Sequence, residues 1–191
     1  MRITLASASP RRRELIQKIK WVECAIVPSD ADESVMKSED PITLTKSLAL
    51  FKAEQVYKKV GGIVLGSDTV VCVDGKILGK PKTKTQAREF LKMLCGRDHK
   101  VITAVAVVSD NKTVVDAEIS LVFMLEYDEE WATEYIATGS PFDKAGGYGI
   151  QDAHFQKRLA KIEGDLDNII GLPVKLTEKL LQEIKKANGN A

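Results

Sequence analysis

The stretch from Ile63 to Pro81 (IVLGSDTVVCVDGKILGKP) constrains the fold of this chain more than any other part of the sequence. Two runs rich in β-branched residues flank Asp74-Gly75, a dipeptide typical of two-residue turns in β-hairpins. The sequence therefore predicts two antiparallel strands here. One acid, Asp68, interrupts the first run, although aspartate is unfavourable inside a strand.

Capping residues and prolines indicate where helices begin and end in the rest of the chain. Ser9-Pro10 and Asp40-Pro41 each pair an N-capping side chain with a first-turn proline. Helices are expected at residues 10–18, 40–60, 85–96, 128–139 and 173–187, and further strands at 2–6, 23–27, 100–108 and 113–125. Helices and strands alternate, but several neighbouring strands form hairpins. We therefore expect an α/β protein with a mixed, twisted sheet flanked by helices.

Length and composition limit the classes of protein that the chain can represent. Its 191 residues fit one domain spanning residues 1–191. With 28 basic and 27 acidic residues, the chain lacks the cationic excess of a general nucleic-acid binder. Its three cysteines form no CxxC pair, which is typical of a reducing compartment. No apolar run approaches the ~20 residues that cross a membrane. We expect a cytoplasmic protein without nucleic-acid or membrane partners.

A basic cluster, Ser7-Ala8-Ser9-Pro10-Arg11-Arg12-Arg13, lies at the first junction of strand and helix. Backbone N–H groups at a helix start attract anions, and arginines add bidentate contacts to phosphate. Cations at this end of a helix are otherwise unfavourable, so an anion would explain them. The alternative is an ordinary capped helix with a solvated basic first turn.

Two acidic positions and three lysines are further candidates for functional residues. A buried carboxylate such as Asp68 needs a partner or a metal, although a strand-end turn bond would also account for it. The cluster Asp30-Ala31-Asp32-Glu33 follows a strand, where acids commonly occupy a loop. The three lysines are Lys52, Lys80 in a Gly-Lys-Pro turn, and Lys144. Taken singly, a lysine is more commonly a surface residue.

Several common catalytic motifs do not occur in the sequence. Neither Gly75-Lys76 nor Gly79-Lys80 is followed by Ser or Thr, so no P-loop is present. There is no G-x-S-x-G motif, and two histidines make a zinc site improbable. Carboxylates for a divalent metal and cations for phosphate remain, which is a set suited to phosphoryl transfer.

Taken in order, the segments closely resemble the Maf family of nucleotide pyrophosphatases. The matching stretches cover nearly the whole chain: LASASPRRREL (5–15), DADES (30–34), LALFKAEQV (48–56), LGSDTVV (65–71), LGKP (78–81), ITAVAV (102–107), PFDKAGGYGIQ (141–151) and NIIGLPV (168–174). The resemblance implies a fold shared with inosine triphosphate pyrophosphatases, in which two lobes enclose a central cleft. It also implies a homodimer and cleavage of nucleoside triphosphates between the α- and β-phosphates with Mg²⁺ or Mn²⁺.

The resemblance also implies roles for individual residues. The expected substrate-binding residues are Ser7, Ser9, Arg11, Arg12, Lys52, Thr69, Lys80 and Gln151. Glu33 and Asp68 are expected to bind the metal, and Asp68 is the expected catalytic residue that orients or deprotonates the attacking water. The Gly-Ile-Gln form at 149–151 is similar to the branch acting on dTTP and UTP. Gly147 replaces a more usual alanine, and Asp152 a more usual glycine.

Two other functions stay open at this stage. An enzyme of the same fold could act on purine triphosphates such as ITP, XTP or 7-methyl-GTP. The chain could also be a nucleotide-binding regulator, since Maf proteins are associated with inhibition of septum formation.

Overall fold

A computed structural model describes residues 1–30, 32, 36 and 38–189. Within these residues, seven strands form one sheet. They are β1 (Arg2–Leu5), β2 (Glu23–Ile26), β3 (Val64–Val73), β4 (Lys76–Leu78), β5 (Asp98–Val108), β6 (Thr113–Met124) and β7 (Leu159–Glu163). The strand order is β2-β1-β3-β5-β6-β7, with β4 paired to β3.

The sheet contains both parallel and antiparallel pairs. Strand β1 is parallel to β2 and β3, whereas β4 is antiparallel to β3 and β7 is antiparallel to β6. The predicted hairpin is confirmed, because Val73 pairs with Lys76 across Asp74-Gly75. Both turn residues have positive φ angles, 50° and 73°, as a type I′ turn requires. The expected α/β class with a mixed sheet is therefore confirmed.

The same described residues form seven α-helices. They are α1 (Pro10–Ile16), α2 (Pro41–Val60), α3 (Lys84–Leu94), α4 (Glu129–Ala137), α5 (Ala153–Gln156), α6 (Leu166–Ile170) and α7 (Val174–Gly189). None of these helices combines the length and apolarity needed to cross a membrane.

The helix boundaries follow the capping signals closely. The side chains of Ser9 and Asp40 each accept a backbone N–H three residues on, which confirms the two predicted N-caps. Asp128 caps the helix expected from residue 128 in the same way. The predicted start of α3 at Thr85 is wrong by one residue, because Thr83 is the N-cap that accepts the N–H of Gln86 and the helix begins at Lys84. Strand β7 and the short helices α5 and α6 were not predicted, since four or five residues carry too little periodicity.

The chain divides into two compact units. The first comprises Met1–Asp68, Thr103–Glu118 and Gly171–Ala191, and the second comprises Thr69–Ile102 and Ile119–Ile170. Small side chains on α2, such as Ala49 and Ala53, build one core in the first unit. Aromatic side chains, including Trp131 and Tyr135, build the core of the second. The expected single domain and the expected cleft stay predictions.

Helix α2 packs on β3 of the first unit with almost no space between the backbones. A Cβ atom added to Gly66 would lie 2.2 Å from the carbonyl oxygen of Ala49 and 2.8 Å from the nitrogen of Ala53. Both contacts are with backbone, which cannot move aside as a flexible side chain does. A glycine at position 66 therefore sets the separation between α2 and β3.

We predict that Gly66→Ala lowers the free energy of unfolding by about 1–3 kcal/mol or more, because the added methyl group overpacks this contact. Urea denaturation followed by circular dichroism measures the change. Gly79→Ala is the matched control, since a Cβ there meets nothing within 4 Å. Equal midpoints for the two variants would show that α2 and β3 do not depend on Gly66.

His99 is a buried imidazole in the second unit, with 2% of its surface exposed. Its Nε2 lies 2.6 Å from the hydroxyl of Tyr148, and the two rings meet edge-on. Among the described residues, His99 Nδ1 is the buried side-chain nitrogen or oxygen without a hydrogen-bond partner. Burial lowers the pKa of His99 to about 3, so the folded protein holds it as the neutral imidazole.

His99 makes the stability of the protein depend on pH. Its pKa is about 6.5 when unfolded, so the unfolded chain binds an extra proton as the pH falls below that value. Stability present above pH 6.5 is thus lost on acidification, by about 2 kcal/mol at pH 5. We predict that His99→Gln reduces this loss of stability, as measured by urea denaturation above pH 6.5 and at pH 5. Parallel pH profiles for the two proteins would contradict this assignment.

Candidate active site

Asp68 and Lys52 form a buried ion pair in the first unit. Asp68 lies on β3, and the Nζ of Lys52 on α2 donates to its Oδ1 at 2.5 Å. Each side chain exposes only 11% of its surface. The carboxylate that interrupts the apolar strand therefore has a charged partner. Lys52 is not a surface lysine, contrary to what its residue type alone indicated.

A pair with so little exposure is costly to disrupt. Removing one member of a buried ion pair typically costs about 3–5 kcal/mol, because the other charge is left without compensation. A carboxylate has about four lone-pair sites, so the bond from Lys52 leaves Asp68 with capacity to accept from water or bind a cation.

Arg12 is oriented by contacts at two of its nitrogens. Its Nε donates to the carbonyl of Gly171 at 2.8 Å, and its Nη1 donates to the Oγ of Ser7 at 3.5 Å. Ser9 accepts the backbone N–H of Arg12 at 3.5 Å, and its own N–H donates to Ser7 at 3.2 Å. Ser7, Ser9 and Arg12 therefore form one connected group.

The carbonyl of Gly171 joins this group to the strand that carries Asp68. It also accepts a hydrogen bond from the Oγ of Ser67 at 3.2 Å, and Ser67 is fully buried and precedes Asp68. Gly171 has a φ of 125°, which favours glycine. Sequence reasoning did not single out Ser67 or Gly171, although both lie in stretches that matched the family.

The remaining member of the predicted phosphate-binding set in the first unit is Arg11. It lies in the first turn of α1 and is half-buried. Because α1 has only seven residues, the predicted phosphate binding here depends on the arginine and serine side chains more than on the helix itself.

The second unit carries Thr69, Lys80 and Gln151. Thr69 is half-buried, whereas Lys80 and Gln151 are exposed. The Gly79-Lys80-Pro81 turn lies against the glycine-rich segment 145–151, because the N–H of Gly146 donates to the carbonyl of Gly79 at 3.0 Å. Lys80 and Gln151 are thus carried by segments that contact each other.

Gly147 has a structural reason to depart from the usual alanine. Its φ is 74°, and an added Cβ would lie 3.2 Å from Cγ of Pro81. An alanine here would be strained in its backbone and tight against the Gly-Lys-Pro turn. Glycine at this position therefore allows the two segments to approach each other.

The predicted metal ligand Glu33 lies outside the described residues, so its role stays a prediction. Three residues earlier in the sequence, the exposed Asp30 accepts hydrogen bonds from the Nζ of Lys59 at both carboxylate oxygens, at 2.7 and 2.9 Å. The described part of the chain contains no group of three or more His, Cys, Asp or Glu side chains that could hold a metal. The predicted divalent cation also stays a prediction.

Lys144 is not a surface lysine either. Its side chain exposes 12% of its surface and donates to the carbonyl and hydroxyl of Ser140 at 2.8 and 2.9 Å. It also donates to Asp143 at 2.6 Å. Lys144 lies seven residues before Gln151 in the sequence.

Comparison with known proteins places the chain in a family over nearly its whole length. The family described as Maf-like protein matches residues 2–184. A dTTP/UTP pyrophosphatase of Thermococcus gammatolerans is 41% identical over 93% of this chain and 94% of its own. Similar matches are the dTTP/UTP pyrophosphatases of Alkaliphilus metalliredigens, 42% identical over 94% of each chain, and Bacillus anthracis, 39% identical over 98% of this chain and 96% of its own.

Solved structures agree with the expected fold. The Ham1 protein of Staphylococcus aureus, at 15% identity, covers 83% of this chain and 80% of its own with a TM-score of 0.51. At this identity the match concerns the fold alone, and the expected inosine triphosphate pyrophosphatase-like fold is confirmed. A family match over nearly the whole sequence, together with relatives near 40% identity, leads to one conclusion: the chain belongs to the Maf family.

Proposed function

We propose that this Maf protein hydrolyses dTTP and UTP to the nucleoside monophosphate and pyrophosphate. The observation that carries the proposal is the buried pair of Asp68 and Lys52, with Arg12 joined to the same strand through Gly171 and Ser67. Near full-length relatives named dTTP/UTP pyrophosphatase support the choice of substrate.

The proposed triphosphate site uses cations that the fold holds in place. The guanidinium of Arg12, oriented by Gly171 and Ser7, presents a planar fork of donors that matches phosphate oxygens. Lys52 adds a positive charge beside Asp68. From the resemblance, the remaining proposed phosphate contacts are Arg11, Lys80, Ser7, Ser9 and Thr69.

A divalent cation, Mg²⁺ or Mn²⁺, is proposed as the cofactor. Mg²⁺ is usually held by one or two carboxylates together with substrate phosphates. The acceptor capacity of Asp68 fits a cation that arrives with the triphosphate, and Glu33 is the second proposed ligand. When bound, such a cation neutralises phosphate charge and makes the α-phosphorus more electrophilic.

In the proposed reaction, Asp68 accepts a proton from a water molecule, and the oxygen of that water attacks the α-phosphorus. A bond forms between this oxygen and phosphorus, and the bond from the α-phosphorus to the bridging oxygen breaks. Pyrophosphate leaves with the electron pair of that bond. The ammonium groups of Lys52 and Lys80 stabilise the negative charge that develops.

Gln151 is the proposed reader of the base. Its amide has a donor and an acceptor, which complement the alternating groups on the imide edge of uracil and thymine. The side chain is exposed, whereas Ile150 before it is buried.

The homodimer and the cytoplasmic location stay predictions.

We predict that UTP and dTTP yield pyrophosphate and a monophosphate, as followed by phosphorus NMR with Mg²⁺ and with Mn²⁺. CTP, ITP, XTP and 7-methyl-GTP complete the substrate panel. UDP and orthophosphate as primary products would contradict the proposal. Preference for ITP, XTP or 7-methyl-GTP would replace the pyrimidine assignment by a purine one, and tight binding without hydrolysis of any triphosphate would favour a regulator.

We predict that Asp68→Asn lowers kcat on UTP by about 10²–10⁴-fold, the range typical of losing a general base. Binding of UTP without metal, measured by calorimetry, should persist because Arg12 and Lys52 remain. Asp74→Asn is the matched control, since this exposed carboxylate pairs with Arg97 in the turn that follows the same strand. Thermal melts show whether each variant is folded. A folded Asp68→Asn variant with a kcat within tenfold of the parent would exclude Asp68 as the base.

A further inference from the structure

A buried polar network surrounds the turn that carries Gln151. Tyr135 on α4 is fully buried, and its hydroxyl donates to the Oδ2 of Asp152 at 2.6 Å. The hydroxyl of Ser140 donates to the same oxygen at 2.6 Å. The ammonium of Lys144, which donates to Ser140, lies 3.9 Å from that oxygen. The carboxylate of Asp152 thus accepts from two hydroxyl groups and lies near one cation, all within the second unit.

This network holds the backbone on both sides of Gln151. The N–H of Gly149 donates to the hydroxyl of Tyr135 at 3.0 Å. The N–H of Asp152 donates to the carbonyl of Gly149 at 3.0 Å, which closes the turn over residues 149–152. The side chain of Gln156 donates to the carbonyl of Ile150 at 3.4 Å. The backbone around Gln151 is therefore fixed while its side chain is exposed.

Close packing leaves the turn little room to move. A Cβ added to Gly149 would lie 2.7 Å from Cε of Lys144 and 2.8 Å from Oδ2 of Asp152. Burial, together with the hydrogen bond to Asp152, raises the pKa of Tyr135 above its usual range. Its hydroxyl therefore keeps its proton, donates to Asp152 and accepts from Gly149 at the same time.

We propose that Tyr135 and Asp152 are positioning residues for base recognition, which aim the amide of Gln151 by fixing the 149–152 turn. The proposal rests on the proposed function, in which Gln151 reads the pyrimidine. It assigns to the polar network a role in affinity for the base, separate from binding of the phosphates.

The test uses Tyr135→Phe, Asp152→Ala and the double variant in steady-state hydrolysis of UTP. Each single variant should raise KM and the inhibition constant of UMP about tenfold or more, as expected for loss of a hydrogen bond to a charged group. The values of kcat and the inhibition constant of pyrophosphate should stay within about twofold. Because both changes break the same hydrogen bond, the double variant should resemble the stronger single variant.

Tyr127→Phe is the matched control, since it also removes a hydroxyl donor, in this case to exposed Glu129 at 3.0 Å. It should leave all four parameters unchanged. Tyr135→Phe keeps the buried ring, so it preserves the core if Asp152→Ala does not fold. In that event Ser140→Ala replaces Asp152→Ala.

Equal weakening of UMP and pyrophosphate, or no weakening of UMP, would overturn the proposal and leave the network a purely structural role. Effects of the two single variants that multiply in the double variant would do the same. Failure of the proposed function has a different signature, because the parent protein would then not hydrolyse UTP.

Discussion

The ammonium of Lys52, 2.5 Å from the carboxylate of Asp68, compensates an acid that would otherwise be unfavourable inside an apolar strand. Because both side chains expose only 11% of their surface, neither helix α2 nor strand β3 can shift without exposing or stranding a charge. The ion pair thus holds together the two elements from which the proposed chemistry arises. The hydrogen bond from Lys52 also orients the carboxylate of Asp68 before any substrate binds.

Two backbone features make this arrangement possible. Gly66 lets α2 approach β3 so closely that a methyl group would reach the carbonyl of Ala49. Gly171 offers a carbonyl that accepts from Arg12 and from Ser67, so an arginine and the strand of the proposed base share one anchor. Preorganisation of this kind reduces the reorganisation required when a charged transition state forms. The residues proposed to bind phosphate and to activate water therefore belong to one connected group.

Local features of the site and fold could be predicted from sequence, whereas contacts between distant segments could not. The hairpin at Asp74-Gly75 and the cap at Ser9 depend on nearby residues. Asp68 stood out because an acid interrupts an apolar run. Lys52 was a candidate substrate-binding residue, but its pairing with Asp68 was not predicted, since the pairing depends on how α2 crosses β3. The link from Arg12 to Gly171 spans 159 residues, and residue types alone gave no sign of it. The network at Asp152 was missed because a lysine such as Lys144 is usually on the surface.

In the proposed reaction, water activated at Asp68 attacks the α-phosphorus. Hydrolysis of UTP in water enriched in oxygen-18, followed by mass spectrometry of both products, tests it most directly. Attack at the α-phosphorus places one heavy oxygen in UMP and none in pyrophosphate. Heavy oxygen in pyrophosphate, with unlabelled UMP, would mean attack at the β-phosphorus and would contradict the proposed placement of Asp68 beside the α-phosphate.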